Sequence, residues 1–391
     1  MPTPVSAFGT FINSNPPLIV RPGHVFNAAQ RQNYAELGYF WRGQKQHRVM
    51  QGGATLQGRI YLFTNPRAEV YDFADTVNPV IVEPGINFSL GWQKLRTWIA
   101  WQQEIIDQQM SEMTRDALFE KWWDVKDQYY QDMYTDWYGK VQDLLWAVPN
   151  RTLMEGTTAT TQPYSIPCFI NEFASGLSQP GAANGGTWTQ VHGIAPATTQ
   201  GGANWAPQLF TYDNLTVNSP TNLLNAIDNA IIKGDFRPPP QDAKWFESEL
   251  ATPGMWFACS ATGKVKLEQL YRASNDRWDN PQDPAGNPTY RGIPFVYCAK
   301  LDTAAIFPTA AAGALSTELN TAFSNGGPRF WGIDSNHLNV FTHRKWFMLS
   351  SGEMSPFNQP TKVAIFFHTM LNMMCSNRRS LLMIFPTANI V

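Results

Sequence analysis

Charge is scarce in this sequence. Only 15% of its 391 residues are charged, against a usual share of about 25%. Lys and Arg number 29 against 31 Asp and Glu, for a net charge of −2. This balance excludes a basic protein that holds duplex nucleic acid by neutralising its phosphates. No apolar run reaches the roughly 18 residues that a membrane-spanning helix needs, so none is predicted.

Cysteine is also rare. The four cysteines, Cys168, Cys259, Cys298 and Cys375, are far apart and have apolar neighbours. Such spacing predicts buried thiols and argues against a disulfide framework or a metal site. The stretch Met1–Ser6 lacks the basic and apolar regions of a signal peptide. We therefore expect the protein to fold in the reducing cytosol.

The common catalytic and cofactor motifs are missing from the sequence. It contains no G-x-S-x-G, H-E-x-x-H, C-x-x-C or G-x-G-x-x-G. His337 and His343 are six residues apart in a predicted strand region, but zinc sites need three or four ligands, so polar packing is the better interpretation. We predict no catalytic residue, no cofactor and no metal site.

Aromatic residues, by contrast, are abundant. They make up 13% of the chain and include 15 Trp, within an apolar share of 43%. Few charges with many aromatics are typical of a surface that other subunits cover. A large core with uncharged polar loops would have the same composition, and the sequence leaves both interpretations open.

The clearest periodic signal lies at about 104–147. Apolar residues recur there every three or four positions, which predicts one stripe of a long amphipathic helix that ends before Pro149. The other faces carry ten acidic residues against four basic ones. The predicted core stripe consists of Leu118, Trp122, Val125, Tyr129, Met133, Trp137, Val141 and Leu144.

The region before this helix predicts an arm and a β-hairpin. Prolines interrupt residues 1–42, which indicates an extended arm. In the hairpin, predicted over 43–86, Leu56, Ile60 and Leu62 share one apolar face, and Asn65-Pro66 is the predicted reversal. An isolated two-stranded hairpin is marginal in water, so this face is predicted to need a neighbouring subunit.

The rest of the chain predicts an α/β region followed by further strands. Predicted helices cover 219–234 and 262–273, and predicted strands cover 255–260 and 292–298. Three closing strand segments are predicted at 330–349, 362–374 and 380–386.

This order of elements resembles the major capsid protein of tailed bacteriophages, the Hong-Kong-97-type coat fold. The resemblance covers about residues 45–391 and rests on four stretches that occur in the family's order. These stretches are Gly58–Asn65 with Glu69–Tyr71, Asn87–Trp92 leading to Trp98–Trp101 and Glu104, Tyr290–Tyr297, and Asn377–Arg379 before Leu381–Pro386.

The resemblance implies an α+β fold divided into five parts. They are an N-terminal arm (1–42), an extended β-hairpin loop (43–86), a peripheral domain with the long spine helix (87–185), an axial α/β domain (186–335), and closing strands that return to the peripheral domain (336–391).

The resemblance also implies a function without catalysis. The chain would self-assemble into hexamers and pentamers of an icosahedral head that encloses double-stranded DNA, built in the host cytoplasm and located in the virion. Implied partners are further copies of itself, the portal protein, a separate scaffolding protein, a decoration or cement protein, and packaged DNA contacted non-specifically, with no membrane. Alternatives are a tail or baseplate protein and a polysaccharide-active enzyme that uses the helix carboxylates.

Some relatives join their subunits through a Lys–Asn isopeptide bond. Lys45, with Asn372 or Asn377, could take those roles. Lys45 lies outside the hairpin tip, so we predict that the bond does not form.

Overall fold

The computed structural model describes residues 37–38, 48–50, 53, 55–62, 85–102, 115–147, 163–170, 191, 194, 204–215, 219–234, 254–274, 286–302, 328–355 and 362–386. For 48–50, 102 and 115–129 the backbone alone is described. Among the helices within these ranges, none combines the length and apolar composition needed to cross a bilayer.

The first sheet has five strands and is organised around β12 (Lys362–Cys375). β4 (Gln93–Gln102) pairs antiparallel with Lys362–Leu371 of β12. β10 (Leu338–His343) pairs with the C-terminal part of β12, and β11 (Leu349–Met354) pairs with its N-terminal part across a bulge. β1 (Arg48–Met50) joins β10 in parallel, so these residues belong to the sheet and not to the predicted hairpin.

The long helix, α1 (Arg115–Leu145), packs on this sheet. On β4 and β12 alternate residues point towards the helix, as the two-residue period of a strand requires. Trp101, Ile365 and Phe367 on the strands form a buried cluster with Met133 of α1. The predicted start of the helix, at about 104, lies outside the described residues.

The second sheet has six strands in the order β5-β13-β9-β6-β8-β7. The strands are β5 (Gln208–Tyr212), β6 (Met255–Cys259), β7 (Thr289–Tyr290), β8 (Ile293–Tyr297), β9 (Phe330–Asp334) and β13 (Leu382–Pro386). β6 is buried on both faces, as is typical of a central strand covered on two sides.

A short buried helix, α2 (Ile166–Phe169), follows α1 in the chain. Helices α3 (Leu223–Gly234) and α4 (Ala261–Ser274) cover one face of the second sheet. The predicted helix at 262–273 matches α4. The predicted helix at 219–234 begins later, because the side-chain oxygen of Asn222 accepts the backbone N–H of Asn225 at 2.8 Å and caps α3 there.

The last strand, β13, corrects the predicted domain boundary. It pairs with β5 and β9 in the second sheet, so 336–391 does not return as a whole to the sheet of the long helix. The reason is burial: Leu382, Met383 and Ile384 are fully covered, and a middle position of a two-sided sheet is where such an apolar run is stable.

The hairpin forms a third, two-stranded sheet. β2 (Thr55–Tyr61) pairs antiparallel with β3 (Gly85–Gly91). A single residue, Trp92, separates β3 from β4. The hairpin therefore crosses the boundary predicted at residue 86, and its described return strand is β3. A return strand predicted from Val70 lies outside the described residues.

Candidate functional site

The apolar face of the hairpin is buried within its own chain. Leu56, Ile60 and Leu62 are 1%, 3% and 4% exposed. They belong to one buried cluster with Trp137 of α1 and Trp331 of β9. The expectation that this face needs a neighbouring subunit is therefore wrong: a hairpin does need cover, but the body of the same chain supplies it. Asn65 and Pro66 lie outside the described residues.

Gly58 allows the two hairpin strands to pack closely. It lies opposite Phe88 in the register, and a Cβ atom at this position would clash with the Phe88 ring. The ring thus occupies the space that a side chain would need.

The end of β2 is held by a short polar bridge. The backbone carbonyl of Leu62 accepts a hydrogen bond from Asn204 Nδ2 at 2.7 Å. Asn204 Oδ1 in turn accepts from Arg379 Nη1 at 3.0 Å. The point at which the chain leaves β2 is therefore tied to the connection between β12 and β13.

Arg378, next to this bridge, is completely buried. Its Nε donates to the carbonyl of Phe169 at 2.7 Å, and its Nη1 donates to the carbonyl of Trp205 at 3.2 Å. Burial lowers the pKa of Arg378 to about 10, so the guanidinium stays charged at neutral pH. It joins segments that are more than 150 residues from it in sequence, which makes it a structural cross-link.

The two connections between the large sheets lie side by side at this junction. The backbone N–H of Ser376 donates to the carbonyl of His337 at 2.9 Å. His337 Nδ1 also lies 3.0 Å from Ser376 Oγ. One connection leads from β9 to β10 and the other from β12 to β13, so the sheets are joined twice at one place.

The two histidines weighed as metal ligands have separate partners. His337 lies in the turn before β10 and contacts Ser376. His343 packs its ring against Trp92 at a centroid distance of 5.4 Å, and its Nδ1 accepts the backbone N–H of Lys345. Within the described ranges, no group of three or more His, Cys, Asp and Glu could hold a metal ion.

The predicted stripe of the long helix divides into two parts. The side chains of Leu118, Trp122, Val125 and Tyr129 lie outside the described residues. Met133, Trp137 and Val141 are buried, and Trp137 Nε1 donates to Thr369 Oγ1 of β12 at 3.0 Å.

Leu144 is only half-buried, which corrects the end of the predicted stripe. Leu145 and Trp146 are buried in its place. Trp146 meets Trp331 of the second sheet edge-to-face at 5.6 Å. The core side of the helix shifts here because its last turn contacts the second sheet as well as the first.

Asn372, one of the two asparagines considered for a cross-link, is 1% exposed. Its Oδ1 accepts the backbone N–H groups of Tyr164 (3.1 Å) and Met373 (2.8 Å), and its Nδ2 donates to the carbonyl of Gly91 (2.8 Å). Asn377 caps the following turn by accepting the N–H of Arg379. Lys45 lies outside the described residues.

All four cysteines are free and buried, as predicted. Burial raises the pKa of the Cys168 thiol to about 11 and that of the Cys259 thiol to about 12. They are therefore protonated and poorly nucleophilic at neutral pH.

Sequence reasoning missed the structural role of three polar residues, one of which, Asn372, it considered only for a cross-link. Asn204, Asn372 and Arg378 bond to backbone groups far away in sequence, and no periodicity reports such contacts. The only signal was the quoted stretch Asn377–Arg379.

No family model matches the chain, and no curated protein matches it by sequence. A solved structure that matches is the capsid asymmetric unit of cyanophage A-1(L), with 14% identity, a TM-score of 0.51, and coverage of 94% of this chain and 97% of that one. The chain has the fold of a phage capsid protein. This agrees with the predicted α+β coat fold.

Two further matches have lower TM-scores. The capsid structure of cyanophage P-SCSP1u has 12% identity, a TM-score of 0.47, and coverage of 95% of this chain and 94% of that one. The mature capsid of bacteriophage PhiM1 has 11% identity, a TM-score of 0.47, and coverage of 95% of this chain and 92% of that one.

Proposed function

We propose that this chain is the major capsid protein of a tailed bacteriophage. It self-assembles into the hexamers and pentamers of an icosahedral head that encloses double-stranded DNA. One observation carries the proposal: the chain shares its fold with a phage capsid subunit over almost the full length of both chains.

The composition supports this proposal. A shell subunit is covered by neighbours on its flanks, so it tolerates few charges and many aromatics. Obligate contacts of this kind typically bury upward of about 2,000 Å². The role is structural, and its site is the virion.

The proposal includes specific partners. Besides further copies of itself, they are the portal protein, a separate scaffolding protein and a decoration or cement protein. The packaged DNA would be contacted non-specifically, and assembly would take place in the host cytoplasm. The hairpin, the long helix and the second sheet would each contribute a surface to the contacts between subunits.

Sedimentation and negative-stain electron microscopy of the expressed chain test the proposal. We expect closed shells or large capsomer sheets. A folded, monodisperse monomer at micromolar concentration would contradict the proposal. Rods or trimeric stalks would favour a tail or baseplate protein instead.

A further inference from the structure

The chain leaves β2 at Leu62, and two different contacts hold that residue. Its side chain is 4% exposed and belongs to the buried cluster. Its backbone carbonyl accepts the hydrogen bond from Asn204 Nδ2. Apolar burial fixes where a residue lies but has no direction, whereas a hydrogen bond favours one orientation of the carbonyl. Because the peptide group is planar, the bond from Asn204 therefore fixes the direction in which the chain continues beyond Leu62.

The orientation of the Asn204 amide depends in turn on Arg379. An amide has an acceptor on one side and donors on the other, so the group can be placed in two ways. A guanidinium can only donate, and Arg379 Nη1 donates to Asn204 Oδ1 at 3.0 Å. The oxygen of the amide therefore faces Arg379, and its NH2 group faces the Leu62 carbonyl. We name Arg379, Asn204 and the carbonyl of Leu62 the latch.

Arg379 has a fixed backbone and an exposed side chain. Its backbone N–H donates to Asn377 Oδ1 at 3.1 Å, and its carbonyl accepts from Gln208 Nε2 at 3.0 Å. The Arg379 side chain itself is exposed, and Asn204 is half-buried. Hydrogen bonds that compete with water contribute little to the free energy of unfolding. The latch therefore affects the direction of the chain more than the stability of the subunit.

The end of β2 lies at the surface of the subunit, since Tyr61, next to Leu62, is 68% exposed. In a symmetric assembly, a change of direction at this point recurs in every copy. Contacts that are not two-fold generate a closed ring only when the rotation between neighbours closes, and otherwise they generate an open array. Closure is therefore sensitive to the direction that the latch holds.

We propose that the latch determines whether assemblies of this chain close. It holds one direction of the chain beyond Leu62, and with that direction the contacts between copies generate closed shells. Without the latch the same subunits associate as open sheets or irregular particles. The inference rests on the proposed self-assembly and assigns Asn204 and Arg379 to it as positioning residues.

Asn204→Asp opens the latch with the smallest change of shape. One carboxylate oxygen keeps the bond to Arg379, and the other replaces the NH2 group and faces the Leu62 carbonyl, so two acceptors oppose each other. We expect the melting temperature to change by under about 3 °C, as for the loss of one exposed bond. The share of closed shells among sedimenting assemblies, counted by negative-stain electron microscopy, should fall about tenfold, because the unsatisfied acceptor recurs in every subunit.

Two substitutions of Arg379 separate orientation from folding. Arg379→Lys keeps a side chain that only donates and has nearly the same reach, so its share of closed shells should stay within about twofold of the wild type. Arg379→Met keeps the apolar stem but donates nothing, so the Asn204 amide can turn over and closed shells should fall as they do in Asn204→Asp. If Asn204→Asp does not fold, this pair at an exposed position decides the question.

Asn229→Asp is the matched control. It adds the same charge at an exposed position of α3 and should leave the share of closed shells unchanged. Normal closed shells from Asn204→Asp would overturn the proposal, and so would equal shares from Arg379→Lys and Arg379→Met. A folded Asn204→Asp chain that forms no assemblies of any kind would also overturn it, because the latch would then act in association and not in closure. A wild-type chain that forms no assemblies would instead contradict the proposed function.

Discussion

Trp137 connects the long helix to the first sheet. It is 2% exposed, it donates its indole N–H to Thr369, and its ring meets Phe347 edge-on at 5.9 Å. It therefore combines a large buried area with a satisfied polar group, the arrangement in which a tryptophan stabilises a core most.

Replacement of Trp137 by Ala should lower the free energy of unfolding by about 3–5 kcal/mol, because it leaves a cavity and removes the hydrogen bond to Thr369. Chemical denaturation of the unassembled subunit measures this. The matched control is Trp98→Ala, which removes the same side chain from an exposed position and should cost under about 1 kcal/mol. Equal losses for the two variants would contradict the assignment of Trp137 to the core. The same loss for Trp122→Ala stays a prediction.

Substitution of Arg378 tests whether its buried guanidinium acts as a structural cross-link. Arg378→Met keeps the length of the side chain but removes its hydrogen bonds to the carbonyls of Phe169 and Trp205, at a cost of about 1–3 kcal/mol for each bond lost. Arg379→Met, at the exposed neighbouring position, should cost much less. If Arg378→Met were as stable as the wild type, the cost of burying the charge would equal what its hydrogen bonds contribute.

The buried thiols predict how stability depends on pH. The pKa of Cys168 rises to about 11 and that of Cys259 to about 12, from 9.0. Both thiols are protonated in the folded and unfolded chain below pH 9, so their contribution is complete there. Between pH 9 and 10 the unfolded chain loses these protons and the folded chain keeps them, so stability falls as pH rises.

Unfolding free energies at pH 8, 9 and 10 measure this effect. Cys259→Ala should make the decline shallower by up to about 1.4 kcal/mol per pH unit. Above pH 10 the lowered pKa of Arg378 acts in the opposite direction, so the comparison is made below it. An unchanged slope would show that Cys259 titrates alike in both states.

At the scale of elements, the two strands of the hairpin differ in role from segment 63–84, which connects them in sequence. β2 and β3 contribute Leu56, Ile60, Phe88 and Leu90 to the core, so their removal should unfold the subunit. Segment 63–84 connects strands whose ends are already paired, so its removal should not.

Replacement of residues 63–84 by a short Gly-Ser link should therefore give a folded subunit that does not close shells. Circular dichroism and melting temperature report the fold, and electron microscopy reports the shells. Leu56→Ser with Ile60→Ser is the contrasting variant, which should lose the fold itself. Normal closed particles from the shortened chain would exclude segment 63–84 from assembly.

At the scale of the whole molecule, one buried cluster joins the hairpin, the long helix and the second sheet. It includes Leu56, Trp137, Trp146 and Trp331. The junction at Ser376 and His337 links the two large sheets a second time. A displacement of one element would therefore be transmitted to the others, because close-packed interiors transmit strain.

Assembled particles should contain no covalent links between subunits. The amide of Asn372 is engaged by three backbone groups inside its own chain and is therefore not positioned to react with a lysine. Boiled particles on a denaturing gel should give a single band at 44.0 kDa. A ladder of heavier bands would contradict this prediction.

The sequence by itself determined the local features. The period of three to four residues predicts α1, the apolar spacing within 219–234 predicts α3, and the apolar neighbours of the cysteines predict their burial. These signals are local because backbone periodicity and side-chain polarity act within a few residues. The order of such elements along the chain was enough for the resemblance to the capsid fold.

Only the tertiary structure decided which surfaces are covered. The apolar face of the hairpin has the same sequence pattern whether its own body or a neighbour covers it, and the structure places Leu56 and Ile60 in the core of the chain. The apolar sequence of Leu382–Pro386 would suit a strand in either large sheet. Its pairing with β5 and β9 places it in the second sheet. The hydrogen bond from Asn372 to Gly91 joins residues that are 281 positions apart in the sequence. Which residues pair over such a separation depends on the packing of the whole chain.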